Sequence, residues 1–245
     1  MIFADIHNHS LSCVDDGPRT EEAMLKMVDA AYRDGIRFLC LTPHFHPVCF
    51  GDNRTAASES FQKLQAYAGR HYPDLRLYLA NELRFGPNCD SWLKEGYCRT
   101  LNNSSLVLVD FSTEARQQLI IKGLSQLLSM GYRPVLAHAE RYSNLTESAI
   151  RDCIQNGIPI QINAGSLYGR FGWRARNRAR RLLRQHLVCT VASDAHDLRY
   201  RPPFLSKGYQ LALKLTDKDY ADQVFCHNAV DLLENNLEGL VKEDE

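Results

Sequence analysis

A short apolar segment followed by a helical pattern recurs seven times along this chain, and few folds can be built from such an alternation. Strands are expected over residues 1–6, 36–41, 75–80, 105–109, 134–137, 158–162 and 187–192. Helices are expected over 20–34, 58–71, 114–130, 146–156 and 173–186, and two more helical stretches, 205–215 and 229–237, close the chain. In the first helix Ala23, Met24, Met27, Val28 and Ala31 recur at helical spacing, and Gly35 marks the stop. In the second, Phe61, Leu64 and Ala68 share a face. Strict alternation of this kind gives parallel strands under helical cover. A doubly wound sheet is the rival, but it carries a glycine-rich turn after its first strand. Here that turn holds His7-Asn8-His9. The 245 residues show no linker, repeat or shift in composition, so the expectation is one domain over 1–245: a single, slightly undersized β/α barrel.

Barrels of this class carry their chemistry at the C-terminal ends of the strands. Six strand ends bear His7 and His9, His44, Glu82, Asp110, His138, and Asp194 with His196. Any one of them has an ordinary structural role; their shared placement is what chance does not supply. Strand side chains alternate faces, so His7 and His9 leave the first strand on one side, and Asp194-Ala195-His196 repeats that spacing. Imidazoles and carboxylates converging on one mouth can hold two or three divalent ions. With no thiolate in place, the set suits Mn, Fe or Zn, whereas Mg prefers fewer histidines. Such a cluster lowers the pKa of a bridging water and neutralises anionic oxygens, which favours hydrolysis of a phosphoester. Arg141 and Arg201 follow two of these strand ends, and a guanidinium fork matches phosphate oxygens. The turn Asp15-Asp16-Gly17-Pro18 adds two carboxylates, and spacing does not say which of them faces the mouth.

Other functions are disfavoured. A formal net charge of +0 argues against a nucleic-acid partner. No apolar run approaches a membrane span, and no signal-peptide pattern precedes Asp5 and His7, so no membrane insertion is expected. The eight cysteines contain no CxxC pair, and several, such as Cys40 and Cys189, sit in apolar runs. Free buried thiols in a cytoplasmic protein are expected. Cys13 and Arg19 have the C-x5-R spacing of a cysteine-dependent phosphatase. Asp15 and Asp16 inside that loop would repel a phosphate and hold the thiol protonated, which makes Cys13 a bystander. Seven arginines lie between Arg170 and Arg184, with Trp173, Ala175, Ala179, Leu182 and Leu183 marking an inward face. A solvated basic face is the default reading, and a docking patch for an acidic partner the alternative.

Taken together, the motifs Asp5-Ile6-His7-Asn8-His9, Asp15-Asp16-Gly17-Pro18, Thr42-Pro43-His44, Asn81-Glu82, Ala137-His138-Ala139-Glu140-Arg141-Tyr142, Ala192-Ser193-Asp194-Ala195-His196 and Arg201-Pro202-Pro203 closely resemble those of PHP-type metallohydrolases. Within that superfamily the chain is most similar to the bacterial manganese-dependent protein tyrosine phosphatases of the CpsB/CapC/YwqE type, over nearly its whole length. The resemblance implies a distorted seven-stranded (β/α)7 barrel with a trinuclear metal centre. It implies His7, His9, Asp16, His44, Glu82, Asp110, His138, Asp194 and His196 as ligands, most naturally of Mn2+, with Arg141 and Arg201 contacting phosphate. It also implies a phosphotyrosine protein as substrate, the tail of a bacterial tyrosine autokinase of capsule or exopolysaccharide assembly. Asp110 departs from the pattern: related phosphatases usually place a metal-bridging glutamate there, one methylene longer. The alternatives are a histidinol-phosphatase-like small-molecule phosphoesterase and a non-catalytic metal-binding regulatory module. The sequence leaves a homo-oligomer open.

Overall fold

The computed structural model describes residues 1–234. Among these residues nine strands form: β1 (Phe3–Asn8), β2 (Ile36–Leu41), β3 (His44–Phe45), β4 (Arg76–Leu79), β5 (Glu82–Arg84), β6 (Leu106–Asp110), β7 (Arg133–Leu136), β8 (Gln161–Asn163) and β9 (Thr190–Ala192). Every ladder between them is parallel. The nine make seven staves, because β2 runs on into β3 past Thr42-Pro43 and β4 into β5 past Ala80-Asn81. Pro43 has no N–H to give the ladder. The Asn81 amide holds the irregular crossing, donating to Pro43 O at 3.0 Å. Bridges from Leu136 to Ile160 and from Asn8 to Ala195 join the three sheets into a closed ring in chain order. This is the expected seven-strand α/β barrel.

The strands separate two apolar layers by the alternation of their side chains. Ala4, Ile6, Cys40, Leu106, Leu108, Val135, Ala137 and Ala192 meet in the interior. Ala229, Leu232 and Leu233 of the helix Asn228–Glu234 pack into the same cluster. Val107, Val109, Leu136, Ile160 and Ile162 face outward, against helices Glu21–Asp34, Arg54–His71, Gln117–Ser129, Glu147–Gln155 and Gly172–Arg184. Thr20 caps the first of these by accepting from Ala23 N, and Gly35 ends it at φ 105, a conformation that costs a glycine little.

Three expectations need correction or limits. Trp173 is 64% exposed, whereas Ala175, Ala179, Leu182 and Leu183 of its helix are buried as expected. It lies in the first turn of that helix. Ala23 and Phe61 are only half-buried. The helix expected over 229–237 is seen through Glu234, and its remaining residues lie outside the described ones. No helix among the described residues is long and apolar enough to cross a membrane.

Candidate metal centre

Strand register sets the first pairs. His44 is aligned with Glu82 across β3 and β5, and Arg84 with Asp110 across β5 and β6. Residues paired in parallel strands point to the same face, so His44, Glu82 and Asp110 all enter the barrel mouth. The other ligand candidates need local departures from a regular strand. Ala4 and Ile6 fill the interior, so strict alternation would turn His7 outward. A register shift between Asp5 and Asn8 in the β1–β2 ladder re-aims it. His138 and Asp194 follow their strands at φ 35 and φ 53, left-handed conformations that cost about 1–3 kcal/mol each and that recur at functional sites.

The result is a ring of nine side chains in three groups, two of which share His9. His9, Asp16, His44 and His196 form one, His7, His9 and Asp194 a second, and Glu82, Asp110 and His138 a third. Within each group one ligating atom per residue lies within 4.8 Å of the others. Glu82 sits in the middle: Oε1 is 3.3 Å from His7 Nε2 and 3.0 Å from His138 Nε2, and Oε2 is 2.8 Å from His44 Nδ1 and 3.3 Å from His9 Nε2. All nine candidates named from the sequence are thus brought together. Asp110 reaches its group despite the shorter side chain, with Oδ2 3.2 Å from the Arg84 guanidinium.

The two carboxylates of the Asp-Asp-Gly-Pro turn divide their work. Asp16 Oδ1 lies 3.2 Å from His196 Nε2 and 3.6 Å from His44 Nε2. Asp15 stands behind them, its Oδ2 2.7 Å from His9 Nδ1 and accepting from His44 N at 2.9 Å. Gly17 is required by space: a Cβ there would lie 2.1 Å from His9 O.

The arrangement of donors tests whether a cation fits. Gln161 Oε1 accepts from the His138 backbone N–H at 2.8 Å, which fixes the amide orientation, so His7 Nδ1 at 3.1 Å must donate to it. Asp15 likewise takes the proton of His9 Nδ1. With both rings neutral, the remaining nitrogens, His7 Nε2 and His9 Nε2, face one another as lone pairs 3.1 Å apart. Two lone pairs at that separation repel unless a proton or a metal lies between them. Asp110 Oδ1 is buried and accepts no hydrogen bond. A divalent ion of nitrogen and oxygen preference satisfies both features.

Electrostatics carry the same signature. Burial works to lower the His7 and His44 imidazoles, but Glu82 and its neighbouring carboxylates outweigh it and raise them to about 9 and about 10. Burial dominates at His138, which falls to about 4. Burial and then Glu82 push Asp110 well above the usual carboxylate range. Asp194 is opposed by burial, yet His7, Arg201 and His196 hold it far below that range. In the metal-free protein, protons on His7 and His44 balance charge that a cation would otherwise balance.

Arg141 and Arg201 flank the ring. Arg141 Nη1 is 3.4 Å from Asp194 Oδ2, and Arg201 Nη2 pairs with Asp194 Oδ1. Both guanidiniums lie over the Phe171 ring, at 5.1 and 5.7 Å from its centroid. Phe171, Gln161 and Asn163 were not legible from the sequence. Gln161 Nε2 donates to Asn163 Oδ1 at 2.9 Å, and Asn163 Nδ2 donates to Asp194 Oδ2 at 2.6 Å. The sixth stave, the one strand whose end bore no ligand candidate, thus supplies an amide chain tying His7 and His138 to Asp194. Neutral amides in a short strand carry no signal that separates them from ordinary core polar groups. Cys13 is exposed, its Sγ 2.9 Å from Arg19 O, and lies outside all three groups. All eight cysteines are free.

A family model described as capsular polysaccharide synthesis, CpsB/CapC, matches residues 3–234. The tyrosine-protein phosphatase CpsB of Streptococcus agalactiae serotype III (strain NEM316) is 33% identical over 239 residues, covering 95% of this chain and 98% of that protein. The tyrosine-protein phosphatase YwqE of Bacillus subtilis (strain 168) is 29% identical over 236 residues, covering 94% and 91%. Among solved structures, one from work on YwqE of Bacillus subtilis and CpsB of Streptococcus pneumoniae, described as metal-dependent tyrosine phosphatases, superimposes with a TM-score of 0.85 at 28% identity, over 96% of this chain and 95% of that one. An inactive dihydroorotase-like domain from Chaetomium thermophilum, TM-score 0.55 at 9% identity, shares the fold alone. With a match from residue 3 to residue 234 and a third of its residues identical to a curated relative, this chain belongs to the CpsB/CapC family of capsular polysaccharide synthesis.

Proposed function

We propose that this chain is a single-domain, metal-dependent protein tyrosine phosphatase, hydrolysing phosphotyrosine on a protein of capsule or exopolysaccharide assembly. The observation that carries this reading is the convergence of nine imidazole and carboxylate side chains with two arginines at one barrel mouth. Membership of a family whose members include tyrosine-protein phosphatases supports the substrate class. His7, His9, Asp16, His44, Glu82, Asp110, His138, Asp194 and His196 are the metal ligands in this reading, with manganese the resident ion ahead of iron or zinc. The protein partner is the phosphorylated tail of a bacterial tyrosine kinase, met in the cytoplasm.

When bound, divalent ions supply Lewis acidity toward phosphoryl oxygens and a water activated for attack. The chain's own residues do the positioning. Arg141 and Arg201 bind the phosphoryl group in a forked geometry that suits three equatorial oxygens, and Phe171 beneath both guanidiniums holds them in place. Asp194 holds the two arginines toward the mouth, and Asn163 fixes the angle of that carboxylate. Tyrosine's phenol, with a pKa near ~10, is a moderate leaving group, so stabilising charge on the phosphoryl oxygens is the larger task. No cysteine is required: Cys13, the one thiol with a phosphatase-like spacing, lies outside the ring.

The test is hydrolysis of a phosphotyrosine peptide by metal-loaded protein, with a chelator in one arm and a thiol alkylator in another. Chelation is expected to abolish turnover and alkylation to leave it; the reverse pattern would sink the metal mechanism. Arg141→Ala or Arg201→Ala is expected to cost about 10²–10³ in kcat, as loss of one donor to transition-state charge does.

A further inference from the structure

A cleft of about 590 Å³ opens beside the metal ring. Thr113, Arg141, Ser143, Trp173, Arg174 and Asn177 are among its lining residues. Arg141 belongs to both places, its guanidinium 3.4 Å from Asp194 Oδ2 and also part of the cleft's lining. A substrate whose phosphoryl group is held at Arg141 therefore has its neighbouring atoms at the entrance to this cleft.

The cleft is unevenly charged. Arg178, half-buried in its wall, donates to Tyr142 O and Leu145 O, which occupies its hydrogens without cancelling its charge. Arg181 pairs with Glu147. Arg174 is exposed, lies 5.4 Å over the Trp173 ring, and pairs with no carboxylate among the described residues. The carboxyl group in the wall, Glu140, is buried and turned inward to accept from Ser166 Oγ at 2.6 Å and Asn163 N at 3.2 Å. The chain as a whole has no net charge, so this concentration of cations is local. Trp173 stands open beside them, and an exposed indole next to arginine is the composition of a protein-binding surface.

We propose that this cleft binds an acidic segment of the substrate polypeptide next to the phosphotyrosine, with Arg174 as the cation it meets and Trp173 as the apolar wall. The proposal rests on the phosphatase reading above and adds the substrate sequence that the site selects. A volume of this size holds several side chains, more than a phosphoryl group alone requires. Its cations and its position past Arg141 suit carboxylates one to a few residues from the phosphotyrosine.

The metal-loaded full chain is tested on two phosphotyrosine peptides of equal length, one with Glu at the flanking positions and one with Gln. The Glu peptide is expected to be preferred about tenfold in kcat/KM at low ionic strength, through KM, and the preference is expected to shrink as salt is raised. Arg174→Glu is expected to abolish or invert the preference, and Arg174→Lys to keep most of it. Equal kcat/KM for the two peptides, or a preference that survives Arg174→Glu, overturns the proposal. Hydrolysis of both peptides without discrimination overturns it alone; hydrolysis of neither overturns the phosphatase reading and this one with it.

Discussion

Single side chains of the ring are held in place by partners that stand outside it. Gln161 is the clearest case, since its one oxygen accepts hydrogen bonds from both His7 Nδ1 and the His138 backbone N–H. Gln161→Leu leaves those two buried donors unpaired and frees the His7 ring. It is expected to cost about 1–3 kcal/mol of stability and to weaken metal binding by roughly 10–100-fold, read by thermal unfolding and by titration of Mn2+ into chelated protein. Unchanged affinity would mean that the amide is only structural. Protons make a second test. His7 and His44 are raised to about 9 and about 10 in the metal-free protein, so both carry protons at pH 7 and must lose them to bind an ion. Loading is therefore expected to release protons, and apparent affinity to rise as pH is raised toward 9. Calorimetry in buffers of different ionisation enthalpy reads the release, and a buffer-independent heat would contradict it.

At the scale of the element, the strands deliver most of the site and their irregular ends deliver the rest. His44, Glu82 and Asp110 follow from register alone. His7 depends on a slipped register, and His138 and Asp194 on left-handed backbone just past a strand. The turn Asp15-Asp16-Gly17-Pro18 depends on close approach, with His9 O filling the space a Cβ would need at Gly17. Gly17→Ala must push the turn away, and Asp16 with it, from His44 and His196. The expected result is loss of one metal equivalent per chain by elemental analysis, with a fall in phosphatase activity of about 10²-fold or more, as misplacement by about 1 Å can produce. Full stoichiometry in Gly17→Ala would show that the turn tolerates the shift.

For the molecule as a whole, the mouth of the barrel gathers charge that the fold by itself does not neutralise. Glu82, Asp110 and Asp194 are buried together, and without a bound cation they are balanced by protons and by Arg84, Arg141 and Arg201. Binding that saturates the sites at about 1,000 times Kd stabilises by ~4 kcal/mol, which for a chain of this size is roughly 10 °C in Tm. Chelation is expected to lower Tm by about that much and Mn2+ to restore it. A midpoint indifferent to chelator would contradict a metal-binding ring.

The sequence by itself determined the seven-fold β/α alternation, and with it the barrel and the mouth at which polar strand ends gather. That information is local: an apolar period of two or 3.6 survives in any window of ten residues. It also named the nine residues that the structure brings together, six strand ends by position and Asp16 through family resemblance. Spacing alone did not say which of Asp15 and Asp16 faces the ring, since both lie in one turn and the difference is a rotation about the backbone; the resemblance named Asp16, and the structure puts it in the ring. The side of the strand taken by His7 was also beyond the sequence, because the bulge that re-aims it depends on the neighbouring stave. Gln161, Asn163 and Phe171 were silent for the same reason. Their roles exist only through contacts with other parts of the chain, at His7, Asp194, Arg141 and Arg201, and no local pattern encodes a partner 30 to 154 residues away.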